Sequence, residues 1–306
     1  MKIPVILDTD IGGDIDDTWA LAFLLRCPEL DLRMVVTDTG DTEYRAKIAA
    51  RLLEVAGRTG VPVATGINLG SDGPREAQRP WVEGYRLESY PGKVHRDGVR
   101  ALVDCLMGSP EPVTLVAIGP APNLRKALEI EPRIAKRTRF VGMFGSIRKD
   151  AFNKEGPIAE WNVKCDIPAA QAVFSAPWLS RVITPLDTCG QVQLREGKYA
   201  LVRDCPDPLI KAVIENYRIW ARNGDDNPDV HSSLLYDTVA VYLAFSEGLL
   251  NMEEMGIQVT SDGFTRPDPS AQSWRCATSW RDLPAFEDFL VSRLTGSGSA
   301  PSSPAG

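Results

Sequence analysis

The stretch Val5-Ile6-Leu7-Asp8-Thr9-Asp10-Ile11-Gly12-Gly13-Asp14-Ile15-Asp16-Asp17-Thr18 decides how the rest of the chain is read. A short apolar run ends in five carboxylates, Asp8, Asp10, Asp14, Asp16 and Asp17. The pattern is that of a buried strand delivering acidic groups into the turn that follows it. Turn formation and helix capping, which Asp and Gly favour, account for two or three of the five. Gathering the remainder at one turn is costly in repulsion and desolvation unless something positive neutralises them. Oxygen-only ligands of this kind suit a hard ion, Ca²⁺ or Mg²⁺, rather than zinc.

Outward from this stretch, apolar runs of strand length alternate with segments of helical period. Strands are expected near residues 3–7, 32–37, 61–64, 113–118, 138–143 and 182–184. Helices are expected near 18–25, 42–56, 99–107, 121–129, 168–174, 208–221, 232–245 and 283–294. Such alternation builds βαβ units, so the expected fold is α/β with an open, mostly parallel, doubly wound sheet. In the 42–56 helix Ala46, Ala49, Leu53 and Ala56 form one stripe, which leaves Arg45, Lys47, Arg51 and Glu54 on other faces. In open sheets of this type ligands bind at the carboxyl ends of the strands, where the acidic turn falls.

One domain is expected over 1–295, followed by a flexible tail, 296–306, made only of Gly, Ser, Pro and Ala. Two polar segments, 70–98 and 223–230, serve either as lids or as solvated excursions. The six cysteines contain no CxxC pair and only two histidines are present, which argues against a disulfide framework or a zinc site. A net charge of −7 disfavours a nucleic acid polymer as partner. The run after Lys2 is too short for a signal peptide and no stretch has the length of a membrane span, so a cytoplasmic location without membrane association is expected.

The run DTDIGGDIDDTWAL resembles the N-terminal signature of the inosine-uridine-type nucleoside N-ribohydrolases, which usually has two residues fewer between its first and second Asp pairs. Further segments resemble that family in the same order: VTLVAIGPAPNL (113–124), AEWNVKCD (159–166), PLDTCG (185–190) and YDTVA (236–240). The resemblance implies a calcium site formed by Asp10, Asp17, the main-chain carbonyl of Ile118 and Asp237. It makes Asp10 the general base toward the attacking water and Asp16 the partner of the ribose 2′-hydroxyl, with Glu160 and Asn162 on the 3′ and 5′ side. It implies a small-molecule nucleoside substrate, a role in purine or pyrimidine salvage, and assembly as a homodimer or homotetramer. Cleavage of an N-glycosidic bond through an oxocarbenium-like state is chemistry that clustered carboxylates favour.

Several positions depart from the family pattern. Many members carry His just before the late aspartate as acid for the leaving base, where this chain has Tyr236. His231 is the nearest substitute in sequence, and a helix cap or surface group is its alternative role. Asp41 stands where the family tends to have Asn, and if it faces the sugar it brings a further negative charge that favours a modified sugar or a partly cationic substrate. Asn153 is the candidate for an amide ahead of the Ala-Glu segment. Trp81, Tyr217 and Trp220 are candidates to stack on a base, with core packing as the alternative. Two other functions are compatible with the residues: a ribose- or nucleoside-binding protein that has kept the metal site but not catalysis, and a phosphatase of the haloacid-dehalogenase type with Asp8 as nucleophile.

Overall fold

The computed structural model describes residues 2–71 and 73–296. In chain order its elements are β1 (Ile3–Thr9), α1 (Asp16–Leu25), β2 (Leu30–Thr37), α2 (Thr42–Val55), β3 (Val63–Thr65), β4 (Val94–His95), α3 (Gly98–Gly108), β5 (Val113–Ala117), α4 (Pro122–Ile130), β6 (Thr138–Met143), α5 (Trp161–Cys165), α6 (Ile167–Ser175), β7 (Ser180–Thr184), α7 (Leu186–Cys189), α8 (Glu196–Arg203), α9 (Pro208–Trp220), α10 (Tyr236–Leu243), β8 (Leu250–Val259), β9 (Thr265–Pro267), β10 (Ser273–Trp280) and α11 (Leu283–Thr295). The strands form one sheet in the order β4-β3-β2-β1-β5-β6-β7-β10-β8-β9. From β4 through β7 to β10 neighbours run parallel, and the β10–β8 and β8–β9 pairs are antiparallel.

β1 lies in the middle, with Leu7 opposite Val35 on one side and Val116 on the other. Because it is covered on both faces its residues are apolar without alternation. Val5 and Leu7 pack into the layer that holds α1, α2, α9, α10 and α11, whereas Ile6 packs into the layer of α3, α4 and α6. Strand order reverses between β1 and β5, which opens a crevice at their carboxyl ends. Asp side chains start the helices on both layers: Asp97 accepts from the Arg100 amide (2.9 Å), Asp166 from Ala169 (3.0 Å) and Asp282 from Ala285 (2.9 Å).

Several expectations need correction. Arg45, off the apolar stripe of α2 as expected, is nonetheless only 2% exposed. The helix expected over 232–245 begins only at Tyr236, because Ser232 is held by Leu194: its amide donates to the Leu194 carbonyl (2.9 Å) and its hydroxyl accepts from the Leu194 amide (2.9 Å). The antiparallel unit of β8, β9 and β10 had no counterpart among the expected strands. Its β8 is half-exposed and carries Glu253 and Glu254, so it lacks the apolar run of a central strand. The tail proposed over 296–306 lies outside the described residues except for Gly296, which ends α11 in the left-handed conformation at φ 69°. Among the described residues no helix is long and apolar enough to cross a membrane.

Candidate active site

Past Thr9 the chain turns through Gly12 at φ 100°, where a Cβ would come within 2.7 Å of Ile48. Only glycine fits that path. The Thr9 hydroxyl donates to the Asp17 carboxylate and accepts from the Ile11 amide at 3.0 Å. Arg45 reaches from α2 under the turn and donates to the main-chain carbonyls of Asp10 and Ile11. Asp16 and Asp17 occupy the first turn of α1, and Asp237 the first turn of α10, so helix N-termini face all three. Their carboxylates each offer an oxygen within 4.8 Å of the others, and the Asp237 amide donates to Asp16 Oδ2 at 3.3 Å.

All three are buried, and burial followed by repulsion from the neighbouring aspartates, Asp10 and Asp14 among them, pushes their carboxyls well above the usual range. Such a trio fits a hard divalent cation, which removes both penalties at once and accepts oxygen ligands only.

Asp10, Asp14, Asp16, Asp17, Ile118, Glu160, Asn162, Tyr236 and Asp237 line one cavity of about 280 Å³, together with Arg75 and Trp161. The structure thus brings together residues from β1, α1, the end of β5, α5 and α10. Glu160 caps α5: its carboxylate accepts from the amides of Asn162 (2.7 Å), Gly145 (2.9 Å) and Val163 (3.3 Å). Burial nonetheless pushes it up to about 7. Asn162 Nδ2 donates to the carbonyls of Ile118 and Met143, both at 3.1 Å. Asp14 opens onto the cavity but is hemmed in by protein, and burial with the charges of Asp10 and Asp226 lifts it to about 6.

Three expected site residues do not line this cavity. Asp41 caps α2, accepting from the Tyr44 amide (3.1 Å), and pairs with Arg79 at 3.0 Å. Burial opposes the shift, yet these partners hold its carboxyl below the ordinary range. His231 turns its Nδ1 to Gln193 (3.1 Å) and to the Ser232 carbonyl (2.9 Å). Asn153 accepts from Lys149 at 2.7 Å and lines a neighbouring, larger cavity. Of the aromatic candidates, Trp81 and Tyr217 belong to the core. Trp81 donates to Glu215 (3.1 Å), and Tyr217 packs edge-on to Trp19 with centroids 6.3 Å apart. Trp220 lines the neighbouring, larger cavity.

Sequence reasoning missed the ground beneath Asp10. Asp8 and Asp38 are fully buried, and burial is the main cause that raises both carboxyls. Asp8 accepts from Asn123 at 3.0 Å, and its carboxyl and that of Asp38 each bear on the other's ionisation. A phosphatase nucleophile at Asp8 is therefore excluded: it is sealed from any substrate. Gly119 lets the β5 turn approach, because a Cβ there would lie 2.8 Å from the Asp10 amide nitrogen and 2.9 Å from Asp38 Oδ1. Asp38 and Arg45 follow no periodic signal that marks them as buried, whereas Gly119 lies in the VTLVAIGPAPNL segment already singled out.

Comparison with known proteins agrees with this arrangement. Residues 5–283 match the profile of the inosine-uridine preferring nucleoside hydrolase family. The chain is 36% identical over 229 residues to the non-specific ribonucleoside hydrolase RihC of Klebsiella pneumoniae subsp. pneumoniae, covering 71% of this chain and 73% of that protein. It is 29% identical over 277 residues to the inosine-uridine preferring nucleoside hydrolase of Leishmania major, covering 86% and 85%. In fold it is similar to a plant nucleoside hydrolase, PpNRh1, with a TM-score of 0.79 over 96% of this chain and 99% of the other at 22% identity. The inosine-uridine preferring nucleoside hydrolase of Bacillus anthracis gives 0.78 over 97% and 100% at 18% identity. The chain belongs to the inosine-uridine preferring nucleoside hydrolase family and is, with that family, an N-glycosyl hydrolase.

Proposed function

We propose that the protein hydrolyses the N-glycosidic bond of a ribonucleoside to free base and ribose, and that it does so with Ca²⁺ held by Asp10, Asp17, Asp237 and the Ile118 carbonyl. The observation that carries this reading is the buried trio Asp16, Asp17 and Asp237 facing one cavity with Asp10. Asp16 stands close enough to the others to share the ion or, through its second oxygen, the ribose 2′-hydroxyl. When bound, the ion supplies positive charge that neutralises the carboxylates and makes nearby water more acidic.

The chain's own residues divide the remaining work. Asp10 accepts the proton from the water that attacks C1′. Asn162 is fixed by two main-chain carbonyls, and Glu160 is fixed by three amides, so the sugar meets a wall that is already ordered. The surrounding carboxylates stabilise the positive charge that develops on the ring. Tyr236 offers a phenolic hydrogen bond to the departing aglycone.

A panel of nucleosides assayed for reducing sugar, with chelator and with added Ca²⁺, tests the proposal. Sugar should appear with calcium and vanish with chelator. No release from any riboside, p-nitrophenyl riboside included, would overturn it, and equal release with chelator would remove the metal from the scheme.

A further inference from the structure

A second cavity, about 760 Å³, adjoins the ribose cavity and shares Asp14, Ala151 and Tyr236 with it. An aglycone projecting from a ribose held at the acidic trio enters this space. We propose, resting on the hydrolase reading above, that the preferred substrate carries a cationic heteroaromatic aglycone, a pyridinium or an N7-alkylated purine, which departs as a neutral base and needs no acid.

The charged residues that line the second cavity are Asp14, Asp226, Glu287 and Arg195, three acidic and one basic. Arg195 donates to Gln193 Oε1, and the two basic groups on the ribose side, Arg75 and Lys164, both lie over the Trp161 ring, 3.3 and 5.2 Å from its centroid. Asp14 and Asp226 lie close enough to influence one another and Tyr236. Glu287 is paired with Lys198 at 3.1 Å, so Asp14 and Asp226 against Arg195 leave the lining at the aglycone net acidic. Trp220 adds a half-buried aromatic ring to the wall, a favourable neighbour for a cation. Ser233, 3% exposed, also lines the cavity, and its hydroxyl has no hydrogen-bond partner among the described residues, which suits a polar ring substituent such as a carboxamide.

Neither histidine is placed to serve as an acid. His95 lies in β4 at the end of the sheet, and His231 does not line either cavity. A cationic aglycone makes that group unnecessary. The C1′–N bond breaks with its electron pair passing to the ring nitrogen and cancelling the positive charge there. Water adds its hydroxyl to C1′ and its proton goes to Asp10, leaving ribose and a neutral base.

The test compares kcat/KM for nicotinamide riboside, inosine and uridine, with p-nitrophenyl riboside as a neutral reference whose leaving group needs no acid. Nicotinamide riboside should exceed inosine and uridine by about 100-fold or more, the range an absent general acid forfeits. Its preference over p-nitrophenyl riboside should fall about tenfold in Asp226→Asn, and shrink in the unaltered protein when salt is raised. Inosine or uridine matching nicotinamide riboside, or a preference indifferent to both salt and Asp226→Asn, would overturn this proposal alone. Failure to cleave even p-nitrophenyl riboside would overturn the hydrolase reading and this proposal with it.

Discussion

Replacing Asp237 by Asn should stabilise the protein in chelator while ending its response to calcium. The trio's carboxylate oxygens lie within 4.8 Å of one another, and at an effective dielectric of ~20 two unit charges at that distance repel by ~3.5 kcal/mol. Asp237 takes part in two of the three pairs within the trio. The metal-free protein relieves most of this by keeping protons on the raised carboxyls, so the net gain from Asn is smaller, ~1–2 kcal/mol, or a few degrees in Tm.

The sign with pH follows from the same shift. An aspartate with a raised folded pKa holds more protons in the folded chain than in the unfolded one, where it titrates near ~4. Stability is therefore greatest below that value and falls as pH rises through the folded pKa. Asn has no proton to lose, so its advantage is absent near pH ~4 and grows toward pH ~8. Thermal unfolding in chelator at pH ~4, ~6 and ~8 reads this directly. Calcium at ~100 times its Kd should then add ~2.7 kcal/mol to the unaltered protein and little to the variant. A variant that is less stable by the same margin at every pH would refute the reasoning, since Asp237 would then act through packing and not through charge.

Asp10→Asn should lower kcat by ~10²–10⁴ with the melting curve retained, and near-full activity would remove Asp10 as base. Gly119→Ala should reduce turnover more than stability, because the new Cβ meets the Asp10 main chain at 2.8 Å; equal activity by steady-state assay would show that the turn yields. Arg45→Met removes the side-chain donor of the Ile11 carbonyl and leaves the Asp10 carbonyl only the Gly13 amide (3.2 Å), and should cost ~1–3 kcal/mol in urea unfolding, with a cost near zero counting against its place beneath the turn. Asp41→Ala should cost ~1 kcal/mol by loss of the α2 cap yet spare turnover, and a large loss of kcat/KM in the folded variant would return Asp41 to the sugar.

The sequence by itself determined the alternation of strands and helices, the parallel sheet, and the acidic turn at the end of β1, because these depend on local periodicity and on the rarity of five carboxylates at one bend. It also singled out Asp10, Asp16, Asp17, Ile118, Glu160, Asn162, Tyr236 and Asp237, all of which line one cavity. Only the tertiary structure decided which polar groups are spent elsewhere. Asp41 goes to a helix cap and to Arg79, His231 turns to Gln193, and Tyr217 to the core. It alone placed Asp38 against Asp8 and Arg45 beneath Asp10, and it brought Asp237 beside Asp16, 221 positions away in the chain. A carboxylate or guanidinium reads the same in sequence whether solvent or a buried partner satisfies it, and that choice is made only when distant segments pack together.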